Sequence, residues 1–280
     1  MPAVTPVASA AAVDTLRSRI QRDVRALASV TAMAGAAPKV TTVPKATADG
    51  FRTETVTLES EAGVTLDAVV AMPDKVGAHP AILWMDAAPL DDIAASADFA
   101  RLAKAGRVVL ALHPRGVLGE PPPNPSQLAL GPYMALFQRA VAVGRTIVGL
   151  RVDDTIRAVD WLVSRPDVDE SLITVYGTGA QGMVALHAAA LDPRISRVVV
   201  ERGLVSYGTA LQAGLHKNLS EVLIPSVLMR YDTPDLLIAT HPRPVVLVNP
   251  DQRHGPARAG SEGARGAPAC ARHGQDAAHA

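Results

Sequence analysis

The sequence predicts an α/β fold: a mostly parallel sheet flanked by helices. Three observations carry that expectation. Short apolar runs alternate with helical segments from about residue 81 onward, the mark of strands buried on both faces. A polar–apolar alternating hairpin precedes them over 53–71, and one strand passes through a glycine turn straight into a helix over 172–187.

The elements follow in order. Residues 1–50 form a helical N-terminal arm, its helix running from about Val13 to Leu27 with Leu16, Ile20, Val24 and Leu27 at helical spacing. From Phe51 the pattern becomes strand: 53–59 alternates, Glu61-Ala-Gly63 turns, and 64–71 returns to Met72-Pro73. Then come a strand at 81–85, a helix near Ile93–Ala105, a strand at 108–112, a Pro-rich loop at 121–125 and a helical stretch over 133–143. A longer helix, Arg151–Ser164, shows Val152, Ile156, Val159 and Leu162 on one face. Strand 172–176, helix 183–191, strand 198–200 and strand 245–248 complete the series. Residues 251–280 contain no Ile, Leu, Val, Met, Phe, Trp or Tyr; a segment without them has nothing to bury, so it is expected to be a disordered low-complexity tail. The predicted core therefore occupies 51–250.

Charge and cysteine count narrow the function classes. With 27 Lys+Arg against 27 Asp+Glu, the chain lacks the positive field that non-specific nucleic-acid binding needs. One cysteine, Cys270, rules out an intrachain disulfide framework and a Cys-based zinc site. His216 and His241 have no metal-ligand spacing with other residues, so no metal is expected. No apolar run approaches the roughly 20 residues that span a bilayer. The first twelve residues are small and apolar without a basic n-region, which leaves a soluble protein, cytoplasmic or secreted after signal removal.

The chemistry concentrates in Gly177-Thr-Gly179-Ala-Gln-Gly182, set between a strand and a helix. One reading is dinucleotide binding, because Gly177, Gly179 and Gly182 fit G-x-G-x-x-G and Glu201 lies where a ribose-binding acid belongs. Several βα units precede the turn and only some 50 core-forming residues follow it, which disfavours this reading. The other is a nucleophile elbow, in which a strained strand-to-helix turn lifts a nucleophile above the sheet and the next N–H faces the oxyanion.

Around this turn the chain from about Phe51 to Pro250 resembles the α/β-hydrolase superfamily, within it the acetylxylan esterase, cephalosporin deacetylase and dienelactone hydrolase-like group. The resemblance rests on Val70-Ala-Met-Pro73, on His79–Met85, and on Val108–Gly116 with its His-Pro-Arg-Gly turn. It continues through Arg157–Leu162 with Arg165–Asp169, the elbow with Ala188–Arg194, and Pro242–Asn249. It implies ester hydrolysis of carbohydrate acetyl or similar small esters, no cofactor, and a small ester or carbohydrate ligand. It places Gly179 at the nucleophile position, where no side chain exists to form an acyl-enzyme. Asp251 falls where the family's acid lies. The family's histidine follows one more strand, which the core-forming sequence does not contain, so the fold is expected to be C-terminally truncated. His254 stands only three residues from Asp251 and is a weak base candidate. The Ala180 N–H and a second N–H near Ala87 are the oxyanion donors, although Asp86-Ala-Ala-Pro89 replaces the family's His-Gly.

Ser206 is an alternative nucleophile or a turn cap. His187 reads as a packed helix residue, His79 as a strand-entry residue, and Glu201 with Arg202 as strand-end charges. His113 and Arg115 either line the mouth of the sheet or stabilise its turn. Three function classes result: a weak or unorthodox esterase, a non-catalytic hydrolase-fold binding or scaffold protein, and a dinucleotide-dependent enzyme. An open sheet edge near Val248 favours self-association.

Overall fold

The computed structural model describes residues 10–48, 50–118, 132–212 and 219–250. Its elements run α1 (Ala10–Ala28), β1 (Val40–Ala48), β2 (Phe51–Glu61), β3 (Val64–Pro73), β4 (His79–Met85), α2 (Leu90–Ala95), α3 (Ala97–Lys104), β5 (Val108–Leu112) and α4 (Met134–Ala142). After these come α5 (Ile147–Ser164), β6 (Val168–Thr178), α6 (Ala180–Leu191), β7 (Ile195–Glu201), α7 (Tyr207–Gln212), α8 (Thr233–Thr240) and β8 (Val245–Val248). The eight strands form one sheet in the order β1-β2-β3-β5-β4-β6-β7-β8. β1, β2 and β3 are antiparallel to one another and β3 is antiparallel to β5, while β5, β4, β6, β7 and β8 are parallel. The predicted hairpin entry and parallel centre are both present.

The expectation of an N-terminal arm outside the core is corrected. Ile20, Val24 and Ala28 of α1 are fully buried in the main core. The helix ends at Ser29, whose φ of 59° lets Val30 N–H close on the Arg25 carbonyl. The following chain is held by Asp153 of α5, which accepts from the Thr31 and Ala32 N–H groups at 2.9 and 2.7 Å. Where α1 meets α5, a Cβ on Gly149 would stand 1.8 Å from the Ala28 carbonyl oxygen, so only glycine permits the approach. The spacing of α1 showed an apolar stripe but not what it meets. β1 went unseen because an exposed edge strand containing Pro44 carries no alternation.

Two helix boundaries moved for capping reasons. The expected helix Ile93–Ala105 is two helices, since Ser96 ends α2 and caps α3 by accepting from the Phe99 N–H. α5 begins four residues before Arg151 because the Thr146 hydroxyl accepts from Gly149 N–H at 2.9 Å and donates to the Ala28 carbonyl.

The helices divide unequally between the two faces. α5 and α6 cover one face, with α1 and α8 packed outside α6, and here Leu83, Met85, Ile173, Val175, Ile195 and Val198 have no exposure. On the other face α2 and α3 set Ile93 and Phe99 against Val69, Ala71, Val109 and Ala111. Among the described residues that cover stops at β4. Beyond it Thr174, Tyr176 and Val199 are half-buried and Arg197 and Val246 are exposed. Among the described residues β8 is the outer edge of the sheet, and no helix is long and apolar enough to cross a membrane. The tail, expected to be disordered, lies outside the described residues.

Candidate functional site

β6 delivers the chain to the glycine turn at the carboxyl end of the parallel strands, and α6 starts at once on the far side. Gly179 has φ 54° and ψ −121°, a region essentially closed to side chains unless the fold enforces it. Its N–H donates to the Glu201 carbonyl at 2.8 Å, tying the turn to β7. The three glycines differ in what they do. A Cβ on Gly177 would lie 2.4 Å from the Gln181 carbonyl oxygen, and one on Gly182 would lie 2.7 Å from Val200 Cγ1. Those two let α6 sit against β6 and β7. Among the described residues, a Cβ on Gly179 would meet nothing within 4 Å. The turn is thus a tightly packed base with an open position at its apex.

The model of the acetyl xylan esterase family (AXE1) matches residues 37–223, including the whole of this turn. The chain belongs to that family. Solved structures agree at the level of fold. The "putative acetyl xylan esterase (BF1801)" of Bacteroides fragilis NCTC 9343 aligns with a TM-score of 0.68 and 15% identity, over 85% of this chain and 68% of that one. A glucuronoyl esterase from Solibacter usitatus gives 0.60 and 15%, over 88% and 77%. Acetyl Xylan Esterase 1 from Thermoanaerobacterium sp. JW/SL YS485 gives 0.52 and 18%, over 88% and 89%. By sequence, the "Putative hydrolase YtaP" of Bacillus subtilis (strain 168) is 27% identical over 110 residues, 39% of this chain, and the match spans 37% of that relative's length. The mostly parallel, helix-flanked sheet is the α/β-hydrolase fold of these esterases.

At the glycine turn, the Ala180 N–H opens α6, where the first helical N–H groups have no partner inside the helix. Ala87 sits in the loop after β4. That loop is held in two ways: Ala88 N–H donates to Asp86 Oδ1 at 3.0 Å, and His113 Nε2–H donates to the Ala88 carbonyl at 2.7 Å. His113 therefore positions the loop that carries Ala87. Arg115 makes a fork to buried Asp154, with Nε and Nη2 at 3.0 and 2.5 Å from Oδ1, and also meets Glu61 at 2.8 Å. It holds the β5 turn against α5 and the β2–β3 hairpin.

Behind the glycine turn lies a buried polar cluster that sequence reasoning did not find. Arg151, completely buried, donates to Glu221 Oε1 at 2.5 Å and to the Arg115 and Gly116 carbonyls at 3.2 and 2.8 Å. The Gln181 amide donates to the same Glu221 oxygen at 3.1 Å. Gln181 is two residues past Gly179, so the ion pair braces the start of α6. The Arg151 guanidinium lies 5.4 Å from the centre of the Tyr133 ring, and burial followed by the charge of Glu221 pushes the Tyr133 phenol up to about 12. An arginine at the start of a predicted helix gave no sign of being buried.

The remaining candidates have other partners. Ser206 donates to Asp232 Oδ2 at 2.6 Å and accepts from Thr209 N–H, so it caps α7, and Asp232 also caps α8 through a capping box with Asp235. That is the turn-cap alternative of the sequence reading. Glu201 accepts from the Tyr176 hydroxyl at 2.5 Å. Burial and then that carboxylate raise the Tyr176 phenol far above its ordinary range. Arg202 stands 3.9 Å from Glu201. His187 donates from Nδ1 to the Met183 carbonyl at 2.7 Å, accepts from the Tyr231 hydroxyl and is fully buried; burial lowers its pKa to about 4. His79 bonds the Lys75 carbonyl and His241 precedes a cis proline. Asp251, His254 and His216 lie outside the described residues. Among the described residues no three His, Cys, Asp or Glu side chains could hold a metal ion.

Proposed function

We propose that this chain is an acetyl xylan esterase-type protein, acting on or binding small carbohydrate esters, in which the Ser-His-Asp mechanism is lost or weak. The observation that supports this is Gly179: the apex of the elbow has the strained backbone angles and the open space of a nucleophile position, and no atom to attack with. In this reading the backbone around it takes over oxyanion stabilisation. The N–H groups of Ala180 and Ala87 serve as the oxyanion donors in this reading, Ala87 preceding Ala88, whose N–H is bound by Asp86 and whose carbonyl is bound by His113. Such donors together with substrate binding can sustain roughly 10³- to 10⁴-fold catalysis by water when a triad is disabled. Asp251 is the acid of this reading and His254 its weak base candidate. A non-catalytic binding protein is the second reading, favoured by the same empty apex.

Gly179→Ser tests both, assayed beside the parent on acetylated xylan and p-nitrophenyl acetate. The parent is expected to hydrolyse either ester slowly or not at all, while the serine variant gains a burst of p-nitrophenol as an acyl-enzyme forms. A fast parent whose rate survives Gly179→Ala would overturn the proposal. Tight binding of acetylated xylan without hydrolysis, in the parent and in the serine variant alike, would select the second reading. Dinucleotide binding has its own test in NADH titration, with Glu201→Ala as the informative variant, since any side chain at Gly177 collides with α6.

A further inference from the structure

The uncovered part of the sheet holds a half-open groove at the opposite strand ends from the Gly179 turn. Its volume is about 310 Å³, and it is lined by Pro80, Arg107, Leu172, Thr174, Ser196, Arg197 and Pro244. Thr174 and Arg197 are direct neighbours across β6 and β7, while Arg107 immediately precedes β5, where Val108 pairs with Ala81. The two arginines therefore flank the β4–β6 pair from either side, about 14 Å apart at the backbone across three strand spacings, within reach of one ligand through their long side chains. Four residues of β6 lie between Thr174 and Gly179, five steps or about 16 Å of chain.

The charge of this groove is unbalanced. Among the described residues no Asp or Glu lines it, and neither Arg107 nor Arg197 has a carboxylate partner. Elsewhere Arg115, Arg145, Arg151, Arg157, Arg165 and Arg194 each meet a carboxylate at 2.5–2.8 Å. Between the two cations lie apolar walls, Pro80, Pro244 and a Leu172 that is 47% exposed. Two hydroxyls complete the lining. Ser196 spends its proton on the Ile173 carbonyl and keeps its lone pairs, and Thr174 has no partner among the described residues. A face-to-face contact with a second copy would set these arginines against their own kind, which costs energy rather than relieving it.

We propose that this groove binds a small carboxylate whose body has one apolar face. The guanidinium groups of Arg107 and Arg197 take the carboxylate, the hydroxyls of Thr174 and Ser196 take polar substituents, and Leu172, Pro80 and Pro244 take the apolar face. The volume suits a ligand the size of a single sugar ring or aryl acid. A sugar acid and an aryl acid share this chemistry, and the choice of probes separates them.

Isothermal titration of the full chain with sodium D-glucuronate and with sodium phenylacetate, each beside its neutral analogue, D-glucose or 2-phenylethanol, tests the site. At least one acid is expected to bind saturably and more weakly as salt is raised, with its neutral analogue failing to saturate. Glucuronate as the tighter probe assigns a sugar acid, and phenylacetate an aryl acid. Arg107→Ala and Arg197→Ala are each expected to weaken binding roughly tenfold or more, the usual loss for a hydrogen bond to a charged group. Arg197→Lys should fall between parent and alanine variant, because it keeps the charge and loses the fork. Saturation by neither acid, equal binding of a neutral analogue, or affinities that ignore both alanine substitutions would overturn the proposal. No ester hydrolysis enters these readouts, so they are independent of the chemistry at Gly179.

Discussion

On the face of the sheet that carries α5 and α6, Ile173, Val175, Ile195 and Val198 have no accessible surface. Their strand neighbours on the opposite face fare differently: Thr174, Tyr176 and Val199 are half-buried, and Arg197 and Val246 are exposed. The residue types overlap, since Val198 and Val199 are consecutive in β7. What differs is whether a helix lies above them. The covered face is also where α5 carries its buried ionic groups, Arg151 with Glu221, Asp153 with Arg145, and Asp160 with Arg157 and Arg194. A packed layer makes such groups costly to disturb, and an open one leaves arginines free for a ligand.

The largest effect should come from the packed side. Arg151→Ala strands Glu221 in a buried site and is expected to cost about 3–5 kcal/mol, read as a shift of the urea midpoint. Glu221→Gln is expected to cost a comparable amount, because it leaves the Arg151 guanidinium buried without its counter-charge.

Acid should act next, through His187. Its pKa is about 4 in the fold against 6.5 without burial, so the unfolded chain binds the proton more readily. The neutral imidazole therefore contributes stability that is fully present above pH about 6.5 and lost as pH falls toward 4, at most about 1.4 kcal/mol per unit and roughly 3 kcal/mol in all. Melting curves of the parent should fall over that window and those of His187→Gln should be flatter. Equal slopes would mean that this imidazole does not stay neutral in the fold.

A pair of valines measures the two faces directly. Val175→Ala removes two buried methyl groups and is expected to cost about 2 kcal/mol, whereas Val199→Ala should cost less than about 1 kcal/mol. Equal losses would show that something covers Val199 in solution. The smallest effect belongs to Val246→Lys on β8, whose parent side chain is 44% exposed; stability should change by less than about 0.5 kcal/mol. A drop in apparent mass on light scattering, together with loss of stability, would instead reveal that the β8 edge is occupied by another copy.

Most of the sheet was legible in the sequence. Apolar strands at 81–85, 108–112 and 245–248 and the hairpin near 53–71 all appear in β2–β5 and β8, because periodicity reports which side of an element is buried. The tight turn between β6 and α6 was legible too, as three glycines between a strand and a helix. α7 and α8 were not, since each is short and owes its start to Asp232, a cap shared with Ser206. Nor was the Arg151–Glu221–Gln181 brace, whose members are 30 and 70 residues apart and meet only when α5, α6 and the turn at Leu219–Glu221 converge.

By itself the sequence determined the parallel, helix-flanked sheet and the absence of a side chain at Gly179, because both are local: one is a pattern of apolar residues, the other the identity of a single position. Tertiary structure decided the rest. Among the described residues it showed that Gly177 and Gly182 are needed for packing while the space over Gly179 is open, that α1 belongs to the core through Gly149, and that Arg107 and Arg197 share a groove without an acid. Each of these depends on which distant atoms are brought within a few ångströms, and spacing along one chain does not encode that distance.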